Sequence, residues 1–305
     1  MAQTRGSFDA LYDNVDKDIS AIMKAQLKEL PRIYTDIYNV KSSDRKFERV
    51  ISYVPFGDTQ AKAEGDAYAT DEIRQAYTKD FTHTENGLAF EVTQTAMEDD
   101  TENVLTRAGE WLAFSARYVE EGRAANPFNN GFSSETTPDG LSLFNTAHLL
   151  RGGGTARNRP ATDADLSATS LTQALVDFQT DQKDEAGHVA MPVQNLILYI
   201  PPALEFLADR LVNSIGLPGS ADNDRNPLKR RTWTITVNPR LSDTDAWFVV
   251  AGNKNQHMLC FYRRVPISLE PMEKDARTGN RIFKVRHRFS VGAWGWQGTY
   301  GTPGA

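Results

Sequence analysis

Cysteine is almost missing from this sequence. Its 305 residues include one, Cys260, so no intrachain disulfide can form and a disulfide-stapled scaffold is excluded. Long hydrophobic runs are missing as well. The best of them, 196–208, contains Pro201, Pro202 and Glu205 and is too short to span a bilayer. Residues 1–13 carry no apolar core of the kind a secretory signal needs. Basic excess is absent too: 34 Lys and Arg stand against 40 Asp and Glu, a net charge of −6, whereas a sequence-reading DNA-binding domain is usually strongly basic. These absences predict a soluble protein of a reducing compartment, or one assembled there. What remains is an ordinary globular composition, 40% hydrophobic and 24% charged, which excludes a disordered or collagen-like chain. The length predicts one large or two ordinary domains, with roughly three quarters of the surface buried if the chain is compact.

Signals of catalysis are thin. Gly152-Gly153-Gly154-Thr155 with Arg151, Arg157 and Arg159 has neither the Walker pattern nor the Rossmann spacing, so it reads as a turn with solvated arginines. Asp222 to Asn226 resembles the start of a calcium loop, but Pro227 stands where the loop needs Gly and Trp233 where it needs the bidentate Glu. No two of His83, His148, His188, His257 and His287 have the spacing of a helical metal pair. Cys260 lies in a strand-like run and reads as a small core residue; Ser142 and Ser214 lack a nucleophile elbow. The expectation is a protein without catalytic residues, metal or cofactor.

Periodicity supplies the elements. Phe8, Leu11, Tyr12, Val15, Ile19, Ile22, Met23, Leu27 and Leu30 recur at helical steps and Pro31 breaks the pattern. The stripe packs either on its own domain or on a neighbouring subunit. Residues 55–70 read as a long loop. Tyr77, Lys79, Phe81 and His83 alternate, Asn86-Gly87 offers a hairpin turn, and Leu88, Phe90 and Val92 return. A long helix follows, with Glu98, Asp99, Asp100 and Glu102 near its start, a face of Val104, Ala108, Trp111, Leu112, Ser115, Tyr118 and Val119, and a stop at Gly122, Asn126 and Pro127. An α/β block comes next. Asp165 or Ser167 caps a helix through Leu171, Leu175 and Phe178; 196–200 reads as a buried strand; Pro201-Pro202 starts a helix with Leu204, Leu207, Leu211 and Val212. Gly216 to Arg231 is a polar loop, and strand-like runs return at 232–237, 247–250, 258–262 and 282–289.

Charge is unevenly placed. Residues 55–110 hold thirteen acidic and four basic side chains, a net of −9, and residues 263–290 hold eight basic and three acidic, a net of +5. These are either mixed solvated faces or complementary patches that meet between copies of the chain.

At 139–162 a family pattern enters. Asp139-Gly140-Leu-Ser-Leu143-Phe144-Asn-Thr146-Ala147-His148, Gly152-Gly153-Gly154-Thr155 and Asn158-Arg-Pro160-Ala161-Thr162 resemble a stretch of tailed-phage major head proteins, in particular the Mu-like major head subunit group of the Hong Kong 97-type capsid fold. Further matches follow in order at Ile200 to Phe206, Ala208 to Leu211, Pro218 to Asp224, Asp243 to Phe248, Thr278 to Asn280 and Gly298 to Ala305, so the resemblance covers about residues 50–305.

The resemblance implies an α+β fold with an N-terminal arm at 1–54, an E-loop region at 55–95, a spine helix and P-domain at 96–160, an A-domain at 161–262, and a P-domain return strand and C-terminus at 263–305. It implies a major capsid protein that assembles as pentamers and hexamers into an icosahedral shell around packaged double-stranded DNA, without sequence-specific binding and without a membrane. Its place would be the virion, with assembly in the host bacterial cytoplasm. A separate scaffolding protein is implied because only about fifty residues precede the matched part; a mature form is the other explanation, and Met1 argues against trimming. A portal protein and decoration proteins are further implied partners. Assembly contacts are expected from Lys62, Glu64 and Asp66 in the E-loop region, from Asp222, Asp224 and Arg230 in an axis-facing loop, and from Arg286 and Arg288 on the return strand. Some family members join subunits through Lys–Asn isopeptide bonds; no motif match assigns Lys62 that role. The alternatives are an encapsulin-like compartment shell around cargo enzymes, and a soluble α/β enzyme or ligand-binding domain.

Overall fold

The structure is a computed structural model that describes residues 19–98, 104–189, 194–216, 225–270, 273–275 and 277–305. Two sheets and one long helix organise it. The four-stranded sheet has the order β13 (Thr299–Thr302), β9 (Trp247–Ala251), β7 (Asn195–Ile200), β8 (Thr232–Val237), with β7 and β8 parallel and the other pairs antiparallel. Both of its faces are covered, which is why β7 and β9 read as unbroken apolar runs. On one face Leu196, Leu198, Trp247 and Val249 pack against α5 (Ala168–Thr180) and α6 (Glu205–Asn213). On the other, Ile197, Tyr199, Phe248 and Val250 meet Phe128 of the long helix α4 (Val104–Asn129) and Phe144. α5 starts in a capping box in which the Ser167 hydroxyl accepts the Ser170 N–H, so Ser167 and not Asp165 is the cap.

The five-stranded sheet follows the order β1 (Asn39–Ser42), β10 (Leu259–Leu269), β12 (Arg281–Ala293), β11 (Glu273–Lys274), and β4 (Thr84–Val92) also pairs with β12. Along β12, Phe283, Val285, His287 and Phe289 are buried while Lys284, Arg286 and Arg288 are only half-buried, the period of a strand with one core face. α4 crosses that core face. A helix through 19–29, α1, lies on α4, burying Met23 and Leu27 against Leu112, Ala113 and Ala116, with Ile19 buried over Gly109. The described part of the N-terminal stripe therefore packs on its own chain; Phe8, Leu11, Tyr12 and Val15 lie outside the described residues.

Three sequence expectations fail here. Asn86-Gly87 is not a hairpin turn. It lies inside β4, where Asn86 pairs with His287 and Gly87 with Arg286. The strand that pairs with β3 (Arg74–Thr82) is β2 (Phe47–Val54), antiparallel and on the far side of the 55–73 loop. The chain leaves this ribbon for the sheet at His83, whose ring hydrogen bonds with Ser43 Oγ and Ser290 Oγ, both at 3.0 Å. The alternating pattern runs on through Asn-Gly because pairing with β12 runs on through it.

Nor does α4 stop at Gly122. It continues to Asn129 with Pro127 in its last turn. Ala124, Ala125 and Phe128 are at most 2% exposed, and their burial outweighs the roughly 1 kcal/mol penalty of a helical glycine and the one backbone bond that a proline near the end gives up. Finally, the buried face of α4 is only partly the one expected: Leu112 and Val119 pack inward. Trp111, Phe114 and Tyr118 are exposed, and Gly109, Ala113, Ala116 and Ala124 face inward. A Cβ at Gly109 would stand 3.1 Å from Ile19 Cγ2, so small residues mark where α1 and the sheet come close.

Candidate assembly surfaces and the hubs beneath them

The N-terminal stretch is tied to α4 by a buried polar cluster. Arg117 Nη1 lies 2.6 Å from Glu120 Oε2, and both side chains are almost fully buried. Tyr34, in the short helix α2 (Tyr34–Ile37), donates its hydroxyl to Glu120 at 3.2 Å, receives a hydrogen bond from Arg263, and stacks on Phe261 at 4.5 Å. Arg117 also donates to the Leu27 carbonyl at 3.3 Å, and the Tyr38 hydroxyl donates to the Ala124 carbonyl at 2.7 Å. Glu121 accepts the Tyr34 backbone N–H at 3.3 Å; burial pushes its carboxyl up to about 7. Sequence reading missed this cluster because it sought large apolar residues on the buried face. The glycine and alanines at 109, 113, 116 and 124 were the signal.

A second hub gathers the family-like motifs. His148 is fully buried; its Nδ1 lies 2.7 Å from Asp139 Oδ2, its Nε2 3.1 Å from Asn158 Oδ1, and its ring stacks on Trp296 at 4.7 Å. Asn158 donates from Nδ2 to the Leu143 carbonyl at 2.8 Å and to Thr299 Oγ1 at 3.3 Å, and its Oδ1 accepts the Asn145 N–H at 2.9 Å. Against the burial that raises it, the hydrogen bonds from His148, Thr137 and the Leu141 N–H hold the Asp139 carboxyl below the usual range. Segments 139–148, 158–162 and 298–301 thus share one buried network between the two sheets.

The surface above these hubs is apolar and extended. The β2–β3 ribbon is clamped across its width by Arg49 on Asp80, at 2.7 and 2.6 Å, and the loop beyond it carries no regular structure from 55 to 73. Tyr53, Phe56, Tyr68 and Ile73 are 57–82% exposed, far more than isolated surface apolar residues require. A cleft of about 330 Å³ opens at the ribbon base, lined by Tyr53, Tyr77, Asp139, Glu185, Trp294 and Trp296. Trp111, Phe114 and Tyr118 form a separate exposed stripe on α4.

The expected contact residues fall into separate places. Lys62, Glu64 and Asp66 share the exposed loop; Lys62 sits 4.9 Å over the Tyr68 ring, and the two acids make no ion pair among the described residues. Arg230 is exposed at the end of a 3₁₀ turn (Pro227–Arg230), while Asp222 and Asp224 lie outside the described residues. Arg286 pairs with Glu85 of β4 at 2.7 Å and reaches Glu270 at 3.9 Å; Arg288 donates to the His83 carbonyl at 3.4 Å. Part of the acidic and basic zones therefore meet inside one chain, along β4 and β12. Reversing Arg286 and Arg288 would disturb that pairing as well as any contact between copies.

The remaining candidates resolve into structure. Arg157 binds Asp177 and Asp181, Arg159 binds Asp163, and Arg151 stacks on Tyr77 at 4.4 Å, so the arginines around the glycine turn are occupied. Burial raises the Cys260 thiol in β10. No group of three or more His, Cys, Asp or Glu among the described residues is placed to hold a metal, and no described helix is long and apolar enough to cross a membrane.

Two buried histidines set an acid limit. Burial, helped by Lys254 at one and by Arg117 and Arg263 at the other, pushes His257 and His287 down to about 4. The unfolded chain binds their protons near 6.5, so stability falls as pH drops from about 6.5 towards 4, by up to about 3 kcal/mol per histidine. Glu121 opposes this over part of the range, because its raised carboxyl gains a proton more readily in the folded chain. Urea midpoints measured from pH 7 to 4 are expected to fall, and His287→Leu to remove most of the fall, because its share of about 3 kcal/mol is close to what remains after Glu121 offsets one of the two histidines.

A family model described as phage capsid protein matches residues 76–301. A search of curated proteins returns no match. Among solved structures, the chain is similar to the capsid of cyanophage P-SCSP1u, at 11% identity and a TM-score of 0.62, covering 90% of this chain and 88% of that chain. It is similar to the bacteriophage JBD30 capsid at 14% identity and a TM-score of 0.56, covering 70% and 92%. It is also similar to a virus-like particle from Pyrococcus furiosus at 11% and 0.54, covering 94% and 98%. At these identities the likeness is one of fold.

Proposed function

The chain belongs to the phage capsid protein family, and from that premise we propose that it is the major head subunit, closing as pentamers and hexamers into an icosahedral shell around a packaged double-stranded DNA genome. The fold is the Hong Kong 97-type capsid fold and the role is structural. The observation that carries the assembly reading is the β2–β3 ribbon with its 55–73 loop, which leaves Tyr53, Phe56, Tyr68 and Ile73 mostly exposed among the described residues. Burying such residues between copies supplies roughly 25 cal/mol per Å², and the acidic Glu64 and Asp66 beside them give register against basic surface on a neighbour.

In this reading the arm ends where the ribbon begins, at about residue 46 and not at 54 as expected; the ribbon from Phe47 to Thr82 forms the E-loop, α4 is the spine, the five-stranded sheet is the P-domain, and the four-stranded sheet with α5 and α6 is the A-domain. Arg230 lies beside the loop that faces the axes, with Asp222 and Asp224 in it. A separate scaffolding protein, a portal protein and decoration proteins complete the particle, which is assembled in the host cytoplasm. The net charge of −6 suits a wall that releases its DNA.

The full chain, expressed with and without its scaffolding partner, is expected to give closed particles by electron microscopy. Replacing 57–71 with a short Gly-Ser turn is expected to abolish them while moving the urea midpoint of the subunit little, since that loop adds nothing to the core. A chain that stays monomeric at every concentration and salt, or a loop variant that closes normal shells, would sink the proposal. Particle contents separate the second reading, an encapsulin-like shell, which would hold protein and no genome-length DNA. Intact mass under denaturing conditions checks whether Lys62 forms covalent links.

A further inference from the structure

The arm crosses α4 over a carboxyl group that is only half satisfied. Glu121 is 2% exposed. Its Oε2 accepts the Tyr34 N–H, and its Oε1 has no hydrogen-bond partner. It forms no ion pair among the described residues. The groups around it come from every element packed there. From α4 these are Arg117 and Glu120, from the arm the backbone N–H groups of Ile33 and Tyr34, from the loop after β8 Arg240, and from β7 the Tyr199 phenol. Arg117 is committed to Glu120, the Tyr34 hydroxyl and the Leu27 carbonyl. Arg240 lies 4.6 Å over the Tyr118 ring. Neither cation closes on the free oxygen.

On the solvent side, arm residues Leu30, Pro31 and Ile33, with Phe114, Tyr118 and Arg240, wall a pocket of about 80 Å³ that reaches Glu121. This stretch of arm covers the carboxyl on its solvent side, and lifting it opens that small pocket to bulk water. We propose that Glu121 is a proton-controlled latch: protonated, it sits neutral beneath the docked arm and holds it down; ionised, it becomes a buried charge with an unpaired oxygen, relieved when 30–33 lifts off α4 while Tyr34 and Tyr38 stay anchored by their hydroxyls. The inference concerns a single subunit and does not rest on the assembly reading.

The sign follows from linkage. The docked arm keeps the carboxyl at about 7, against an ordinary 4.5 once hydrated. Docking is thus strongest below about pH 4.5 and weakens as pH rises through 7, by at most about 300-fold if lifting hydrates the group fully. Tyr34, Tyr38 and Lys254, which donates to the Thr35 carbonyl at 2.7 Å, keep their other bonds to the body throughout, so the arm loosens without the subunit unfolding.

Hydrogen exchange on the full chain, followed by mass spectrometry from pH 5.5 to 8.5 at times matched for intrinsic rate, tests this. Protection of peptides covering 27–38, relative to β7, is expected to fall tenfold or more across that range. In Glu121→Gln it is expected to stay flat. A flat profile in the natural chain overturns the latch whatever the variant does, which covers the case of a variant that fails to fold. A Glu121→Gln profile that falls like the natural one also overturns it, because the titrating group is then elsewhere.

Discussion

Replacing Phe248 with alanine is expected to cost the subunit about 4 kcal/mol, within the 3–5 kcal/mol seen for buried phenylalanines. The ring is 1% exposed and touches four others: Phe128 and Phe144 at 5.1 Å, Phe132 at 5.8 Å and Tyr199 at 6.2 Å. Those neighbours sit on α4, on the segment after it and on β7, and are themselves held. A Cβ at Gly301 would fall 2.7 Å from the Phe248 ring and 3.0 Å from that of Phe144, so the backbone of β13 closes the fourth side. A hole walled by rings and backbone from separate elements collapses little, and residual cavity volume is what makes such substitutions expensive. Typical domains hold only about 5–15 kcal/mol in reserve, so the loss is a large fraction of the whole. The check is the urea midpoint, with the slope unchanged. A loss below about 1 kcal/mol would mean that the cluster does not join α4 to the four-stranded sheet. Phe248→Leu, which keeps most of the volume, should cost clearly less.

The parts of the fold that could be read from the chain are those whose cause is local. β7 and β9 showed as continuous apolar runs because both faces of their sheet are covered, and Ser167 marked the start of α5 because its hydroxyl serves a backbone N–H three residues on. The β2–β3 ribbon was not legible. Its partners Phe47 and Thr82 are joined through an irregular loop, and no local pattern states which strand lies beyond it. Asn86-Gly87 misled for the opposite reason, since a good local turn signal was overruled by the long strand β12 beside it. On α4 the aromatic residues pointed to one face and the core took another, because close approach of α1 selects Gly109 and the alanines. The residues proposed for assembly are legible only as charge and loop, which name no partner. The motif residues at 139–162 were recognised by likeness alone, and the structure supplies the physical reason they belong together.

Asn158 is the residue on which that reason turns. Asn158→Ala should destabilise the subunit by about 3–4 kcal/mol, although it removes one small side chain. Asparagine is used here at both ends. Its amide donates to the Leu143 carbonyl and Thr299 Oγ1, and its carbonyl oxygen accepts the Asn145 N–H and faces His148 Nε2. The side chain is 0% exposed, so truncation leaves the Leu143 carbonyl, the Asn145 N–H and the His148 ring short of partners without water to replace it, at about 1–3 kcal/mol for each group left unsatisfied. His148→Ala alone strips Asp139 Oδ2 of its imidazole partner and Trp296 of its stack. The double variant should therefore cost less than the two singles added together, by about 1 kcal/mol or more, as linked residues do. Full additivity would separate Asn158 from the His148–Asp139 pair. Acid supplies an independent reading of the same hub. Asp139 is held below its ordinary carboxyl range by His148 and Thr137, so its contribution is complete above about pH 4 and is lost as pH falls through the depressed value. In His148→Ala that lowest-pH loss should shrink, because the group that held the Asp139 carboxylate in its charged form is gone.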